Sequence, residues 1–331
     1  MTLVERCMAV VLENISVSKA RKNPLSLIMV TFLITGAGIW LSYFVFPESS
    51  SILALAFVTL AFAPFIHRLF IVETSQEEEK PGWSASFLSR HFDLIEIYGV
   101  IFIGIIISYV FWFAVLPGAD CGNGLNCWFP QREVVFSEQE KVYKSITGLS
   151  ATAKILGTGN AVGGLECKSA EATVESCAIF IFSNNSVVLG LAILFSFIYG
   201  AGAVFLVGWN ASVIGTFIGV EVIGKDILAG FVRAAGYLPH GMWEIGGYFV
   251  GAIAGGIITA GLATRRYSEK QFEIIAKDAL LLIFMAYLSL LIGSLIEALL
   301  IIHPETVDLI LLSEFVIIVG AIVLHFVMKK K

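Results

Sequence analysis

Residues 279–302 read ALLLIFMAYLSLLIGSLIEALLII, and Glu297 is the only acidic or basic residue among them. As a helix rising ~1.5 Å per residue, this stretch is longer than the ~30 Å hydrocarbon core of a bilayer. A soluble helix of that length keeps one polar face, and this one has none. Similar runs cover Leu25–Phe46, Ile52–Ile66, Ile97–Leu116, Val187–Val207, Met242–Ala263 and Leu309–Met328. The first follows Lys19, Arg21 and Lys22 but is too long for a signal peptide and lacks a small-residue cleavage site.

Composition agrees. Of 331 residues, 57% are hydrophobic and 14% are charged, against about 25% charged in soluble domains. The mean hydropathy is +0.87. These values exclude a soluble enzyme, a DNA-binding protein and a disordered or coiled-coil chain. The net charge of −5 offers no basic footprint for nucleic acid. The class implied is an all-α polytopic membrane protein of the cell membrane, surrounded by lipid.

Orientation follows from Lys and Arg in the short connections. With the N-terminus cytoplasmic, segments 1–24, 67–96, 264–278 and 329–331 lie inside and hold 14 of the 21 basic residues, whereas the outer turns 47–51 and 303–308 hold none. Both termini are then cytoplasmic. Parity requires residues 209–239 to cross once more, between a span ending near Gly208 and one starting outside near Met242. Only about a dozen mostly apolar residues, Asn210 to Ile223, are available before Lys225, Asp226 and Arg233. The expectation is a broken or short helix, then an interfacial helix near 225–236, since irregular backbone survives at membrane depth only inside protein. The count is about eight transmembrane helices with the fifth irregular; seven plus a re-entrant segment is the rival.

The chain divides into an N-terminal membrane region (1–117, three spans), an extracellular loop domain (118–186) and a membrane core (187–331) that contains the broken segment 209–239. In the loop, Ser137 and Glu140 form an S-x-x-E capping box that predicts a helix to about Ile146. Cys121, Cys127, Cys167 and Cys177 face the oxidising side and read as two disulfides. Three pairings are open, and Cys121–Cys127 with Cys167–Cys177 is the simplest. Zinc is the alternative, but no C-x-x-C knuckle occurs. Cys7 is expected to be a free thiol. Asn184-Asn185-Ser186 is formally a glycosylation acceptor, but it lies against a span, and Glu77–Glu79 reads as solvated charge.

Polar groups within spans cost free energy and are candidate functional residues. In Leu238-Pro239-His240-Gly241-Met242-Trp243-Glu244, Pro239 suits a helix first turn, and His240 and Glu244 lie four apart on one face. They read as a buried hydrogen-bonded pair or as two metal ligands that Glu221, Glu297 or His303 would have to complete. No metal motif demands that, and no cofactor is expected. Glu297 with Glu244 fits a proton relay or an ion pathway; equally, Glu297 fits the capping of a neighbouring helix or pairing with Arg233. Gly215 and Gly219, and Gly247, Gly251 and Gly255, recur at four-residue spacing, which suits close helix packing; a homodimer seam is the other use of the longer stripe. No Walker A loop, G-x-G-x-x-G or nucleophile elbow occurs.

From the fourth span onward the chain resembles the stage II sporulation protein M family. Phe182-Ser183-Asn184-Asn185 leads into a span with Gly200 and Gly202, followed by Asn210 and Gly215, then Leu238-Pro239-His240-Gly241-x-x-Glu244, a small-residue helix through Gly255, and Leu295-Ile296-Glu297-Ala298 before His303-Pro304. The resemblance covers about 180–328. It implies a non-enzymatic membrane protein, similar to a sporulation scaffold that recruits cell-wall hydrolases. The outer loop and the three N-terminal spans are departures from the bacterial pattern, and they set those partners aside.

Three functions compete. A membrane scaffold would present the loop 118–186 to protein partners, with Asn184, Asn185, Asn210, His240 and Glu244 holding its core. A permease or channel-like subunit would line a path with the broken segment and Glu221, Glu244 and Glu297. An intramembrane metal-dependent hydrolase would use His240 and Glu244 and ranks last.

Overall fold

A computed structural model describes residues 23–79, 85–118, 129–146, 172–199, 202–224, 236–264 and 269–306, together with 167, 310 and 313. Its helices are α1 (Pro24–Val45), α2 (Ser50–Glu79), α3 (Ala85–Val115), α4 (Arg132–Val135), α5 (Ser137–Ile146), α6 (Val174–Tyr199), α7 (Ala203–Gly224), α8 (Leu238–Thr264) and α9 (Glu269–Ile302). Among the described residues there is no strand, and seven helices are long and apolar enough to cross a membrane. Cys7, Cys121, Cys127, residues 225–235, residues 265–268 and most of the 309–328 span lie outside the described residues.

Helix boundaries follow local chemistry. Pro24 opens α1, where its missing N–H costs nothing. Pro47 starts a 3-10 turn, Pro47–Ser49, that leads directly into α2. Pro64 sits inside α2, a tolerance usual in membrane helices, whose neighbours restore the freed backbone group.

Helix α1 packs on α2 and α3, and α3 packs on α7. Helices α6, α8 and α9 form a second mutually packed group, and α8 also meets α2. One apolar core joins the two groups, running through Phe62, Ile66 and Phe70 of α2, Tyr98 and Ile105 of α3, and Phe249, Ile253 and Ile257 of α8.

Two boundaries differ from the sequence reading. The fourth helix starts at Val174 rather than near Val187, so Asn184-Asn185-Ser186 lies inside it and not at a glycosylatable loop end. The fifth span begins at Ala203 rather than after Gly208, and α7 is a continuous helix of 22 residues to Gly224; residues 225–235 of the expected irregular segment 209–239 lie outside the described residues. A Cβ on Gly202 would lie 2.9 Å from Phe195 Cβ, so a bare backbone lets α7 begin this close to α6. Hydropathy passes through Gly200-Ala201-Gly202 without a dip and so does not mark where α6 ends at Tyr199 and α7 begins at Ala203.

The expected helix Ser137–Ile146 is present, held differently from a capping box. Ser137 is its first helical residue and its Oγ meets Ser51 Oγ at 3.4 Å, while Glu140 pairs with Lys144 at 3.3 Å. Gln139 is buried and donates from Nε2 to Ser51 O at 3.3 Å and to Ser212 Oγ at 3.2 Å. Phe136, also buried, stacks edge-on against Tyr109 and Phe113 of α3. Helix α5 is thus fastened to α2 and α7.

The glycine repeats serve packing within the chain. Gly215 and Gly219 face α3, where added Cβ atoms would sit 2.6 Å from Tyr109 Cβ and 2.8 Å from Phe113 Cβ. Gly247 faces Ala286 and Leu290 of α9, and Gly251 and Gly255 face Leu189 and Ile193 of α6. The stripe expected to serve either packing or a dimer seam is therefore filled by the chain's own helices.

Candidate functional site

One face of α6 carries Cys177, Ile181, Asn185 and Leu189 at helical spacing, all buried. Cys177 is joined to Cys167, with Cα atoms 5.1 Å apart. This pair packs with Ile181 against Ala298 of α9, the neighbour of Glu297. Two turns further into α6, Asn185 reaches α8.

There Asn185 Nδ2 donates to Glu244 Oε1 at 2.5 Å, and Tyr248 Oη donates to Asn185 Oδ1 at 3.0 Å. Glu244 and Tyr248 are one turn apart on α8. The amide is held from both ends, which fixes its NH2 toward the carboxyl. Asn185 is 1% exposed and Glu244 7%.

Helix α9 closes the site. Gly293 leaves room for Glu244: a Cβ there would lie 2.9 Å from Glu244 Cγ and 3.2 Å from Trp243 Cβ. Ser289 Oγ donates to Trp243 O at 2.5 Å. One turn beyond Gly293, on the same face of α9, stands the half-buried Glu297. Three helices thus converge within ~9 Å of the start of α8, counted along its axis at ~1.5 Å per residue.

At the rim, Tyr237 and His240 stack edge to face with ring centroids 6.0 Å apart, and Phe217 of α7 stacks on Tyr237 at 5.2 Å. Burial, then the nearby Glu297 and Glu221 carboxyls, push the Tyr237 phenol above its ordinary value, so it stays a hydrogen-bond donor. Glu221 itself accepts from Tyr143 Oη of α5 at 3.2 Å.

Of the residues singled out in the sequence, Asn185 and Glu244 meet directly, Glu297 stands one turn along α9 from Gly293, which packs on Glu244, and His240 and Glu221 border them. Glu244 takes its hydrogen bond from Asn185. Pro239 is the second residue of α8. No atom lies within 4 Å of a Cβ placed on Gly241. Asn184 is half-buried, and Asn210 is apart from the cluster, its Nδ2 bonded to Leu206 O of its own helix at 2.9 Å. Sequence reasoning passed over Tyr248, although it repeats the four-residue spacing from His240 to Glu244, and passed over Gln139, Tyr143 and Tyr237.

Among the described residues no three His, Cys, Asp or Glu side chains converge as metal ligands. His303 is directed to Glu305, Nδ1 to Oε1 at 3.2 Å, and does not complete a set with His240 and Glu244.

A family model for stage II sporulation protein M matches residues 98–300. The chain belongs to this family. The match begins in α3 and runs through α9, so it contains the whole Asn185–Glu244–Glu297 cluster. It also takes in most of the third span and the outer loop, which the resemblance alone had treated as departures from the stage II sporulation protein M pattern. No curated protein and no solved structure matches the chain.

Proposed function

We propose that this member of the stage II sporulation protein M family is a non-enzymatic scaffold of the cell membrane, with both termini cytoplasmic and the α5 end of the bundle outside. The observation that carries this reading is the attachment of α5 to the membrane helices by Gln139 to Ser51 and Ser212, and by Tyr143 to Glu221. A segment held this way offers a partner a fixed surface, so less ordering entropy is lost on binding. The solvent side of α5 carries Glu138, Lys141 and Lys144. In this reading the Cys167–Cys177 pair is a disulfide anchoring the loop, protein partners bind through the outer segment, and neither a cofactor nor nucleic acid is involved.

Transport is the second reading, favoured by the acids Glu244 and Glu297 inside the membrane. Its other support was an irregular segment 209–239, of which α7 is a continuous helix as far as Gly224 and residues 225–235 lie outside the described residues.

Crosslinking in intact membranes, mild-detergent purification and mass spectrometry test the proposal. The expected result is a stoichiometric partner retained by the wild type and lost when Glu138, Lys141 and Lys144 are reversed in charge in a protein that elutes normally. A chain that purifies alone would overturn the scaffold reading and make liposome flux the next assay.

A further inference from the structure

Glu244 lies against Gly293 of α9, and Glu297 stands one turn further along the same face of α9. An ionised carboxylate has acceptor oxygens and no donor, so bringing two of them together requires a proton on one or a cation between them. The described cations at this end of the bundle are engaged elsewhere: Arg132 with Leu116 O, Lys141 with Glu138, and Lys144 with Glu140. Among the described residues, the remaining neighbours of the pair are neutral or acidic. Asn185 comes from α6 and Tyr248 and His240 from α8, with Tyr237 preceding α8 and Glu221 on α7.

A second observation does not depend on the acids. His240 Nδ1 is shut off from solvent and has no hydrogen-bond partner among the described residues, and its ring stacks edge to face with Tyr237. A buried imidazole nitrogen left open in this way is able to take up or pass on a proton. The site is also one-sided. Toward the α5 end lie the exposed Tyr237 and the half-buried His240, Glu221 and Glu297. In the other direction, past Tyr248, the contacts are apolar: Leu189 fills the space at Gly251, and Leu290 that at Gly247.

We infer that Glu244 and Glu297 form a binding site for a single proton, entered from the α5 end of the bundle, with Asn185 and Tyr248 as its fixed hydrogen-bonding frame and His240 at its mouth. The inference goes beyond the scaffold reading and does not rest on it. A bound proton converts a repulsive pair into a hydrogen bond between α8 and α9, and its loss sets two like charges against each other in a low-dielectric interior.

Dicyclohexylcarbodiimide, which reacts with protonated carboxyls in apolar surroundings, tests this on the full-length protein in its membranes, with labelled peptides read by mass spectrometry. Expected are one label per chain, on Glu244 or Glu297, a yield that falls as pH rises, and no protection by sodium. In Glu297→Gln or Glu244→Gln the label stays on the remaining acid, but its pH midpoint falls by about one unit or more, because the like charge is gone. Glu221→Gln leaves the stoichiometry at one. Absence of label across the pH range would overturn the inference in favour of a fixed counter-cation, and sodium protection would replace the proton with a metal cation. A midpoint unchanged in both single variants would show that the acids do not share a proton. A variant that fails to elute as wild type is replaced by the other member of the pair.

Discussion

Asn185 of α6 and Glu244 of α8 share a 2.5 Å hydrogen bond inside the helix bundle, and Tyr248 orients the amide that makes it. Asn185→Leu keeps the volume and removes the donor. It is expected to destabilise the protein by about 1–3 kcal/mol, because Glu244 loses a buried partner. Tyr248→Phe should cost less, about 0.5–1.5 kcal/mol. Thermal unfolding in detergent measures both, and an Asn185→Leu protein as stable as wild type would remove the amide from its assigned role.

Neighbouring glycines on α8 should respond in opposite ways. Gly251 faces Leu189, so Gly251→Leu overpacks the α6–α8 contact, at about 1–3 kcal/mol. Gly246 has nothing within 4 Å of a Cβ position, so Gly246→Ala should change stability by no more than about 1 kcal/mol, and in the favourable direction. Equal losses at the two sites would contradict the packing described.

Docking of α5 depends on a side chain with no charge. Gln139→Leu leaves Ser51 O and Ser212 Oγ without their donor and should expose residues 129–146 to limited proteolysis while the membrane helices stay protected. Tyr143→Phe, which removes the hydroxyl bonded to Glu221, should leave the cleavage pattern close to wild type.

Mass spectrometry of unreduced peptides should find Cys167 linked to Cys177. Closing so short a loop contributes about 2–4 kcal/mol. Reduction should therefore lower the unfolding temperature, and Cys177→Ser should reproduce the reduced value.

Topology is tested with single cysteines. A thiol at Ser268 should be labelled only from the cytoplasmic side, and one at Glu305 only from outside. The reverse pattern would invert every assignment of side made for this chain.

Much of this architecture was legible in the chain itself. The span at 25–46 meets α1 closely and those at 97–116 and 279–302 end with α3 and α9, which begin earlier, at Ala85 and Glu269; the apolar part is legible because apolar length is a local property that needs no partner. Helix α5 was legible from Ser137 and Glu140, although its hydroxyl and carboxyl found other partners. The boundary between α6 and α7 was not, since the Gly200-Ala201-Gly202 sequence between them is as apolar as the helices on either side. Asn184 and Asn185 compounded the error by resembling the polar edge of a loop.

The candidate site was half legible. An ionisable residue in an apolar run stands out, so Glu244, Glu297 and His240 were found. Their company was not, because Asn185, Glu244 and Glu297 are far apart in sequence. In water a helix shows its inner face as an apolar stripe; in lipid both faces are apolar, so the pattern does not reveal which neighbours a side chain meets. The sequence by itself determined membrane embedding, the approximate spans and the short list of costly polar residues, all consequences of transfer free energy along the chain. Only the tertiary structure decided that α7 lies on α3, that the glycine stripe of α8 is filled from within, and that Asn185 meets Glu244 beside Gly293 of α9, since those depend on which helix surfaces fit against each other.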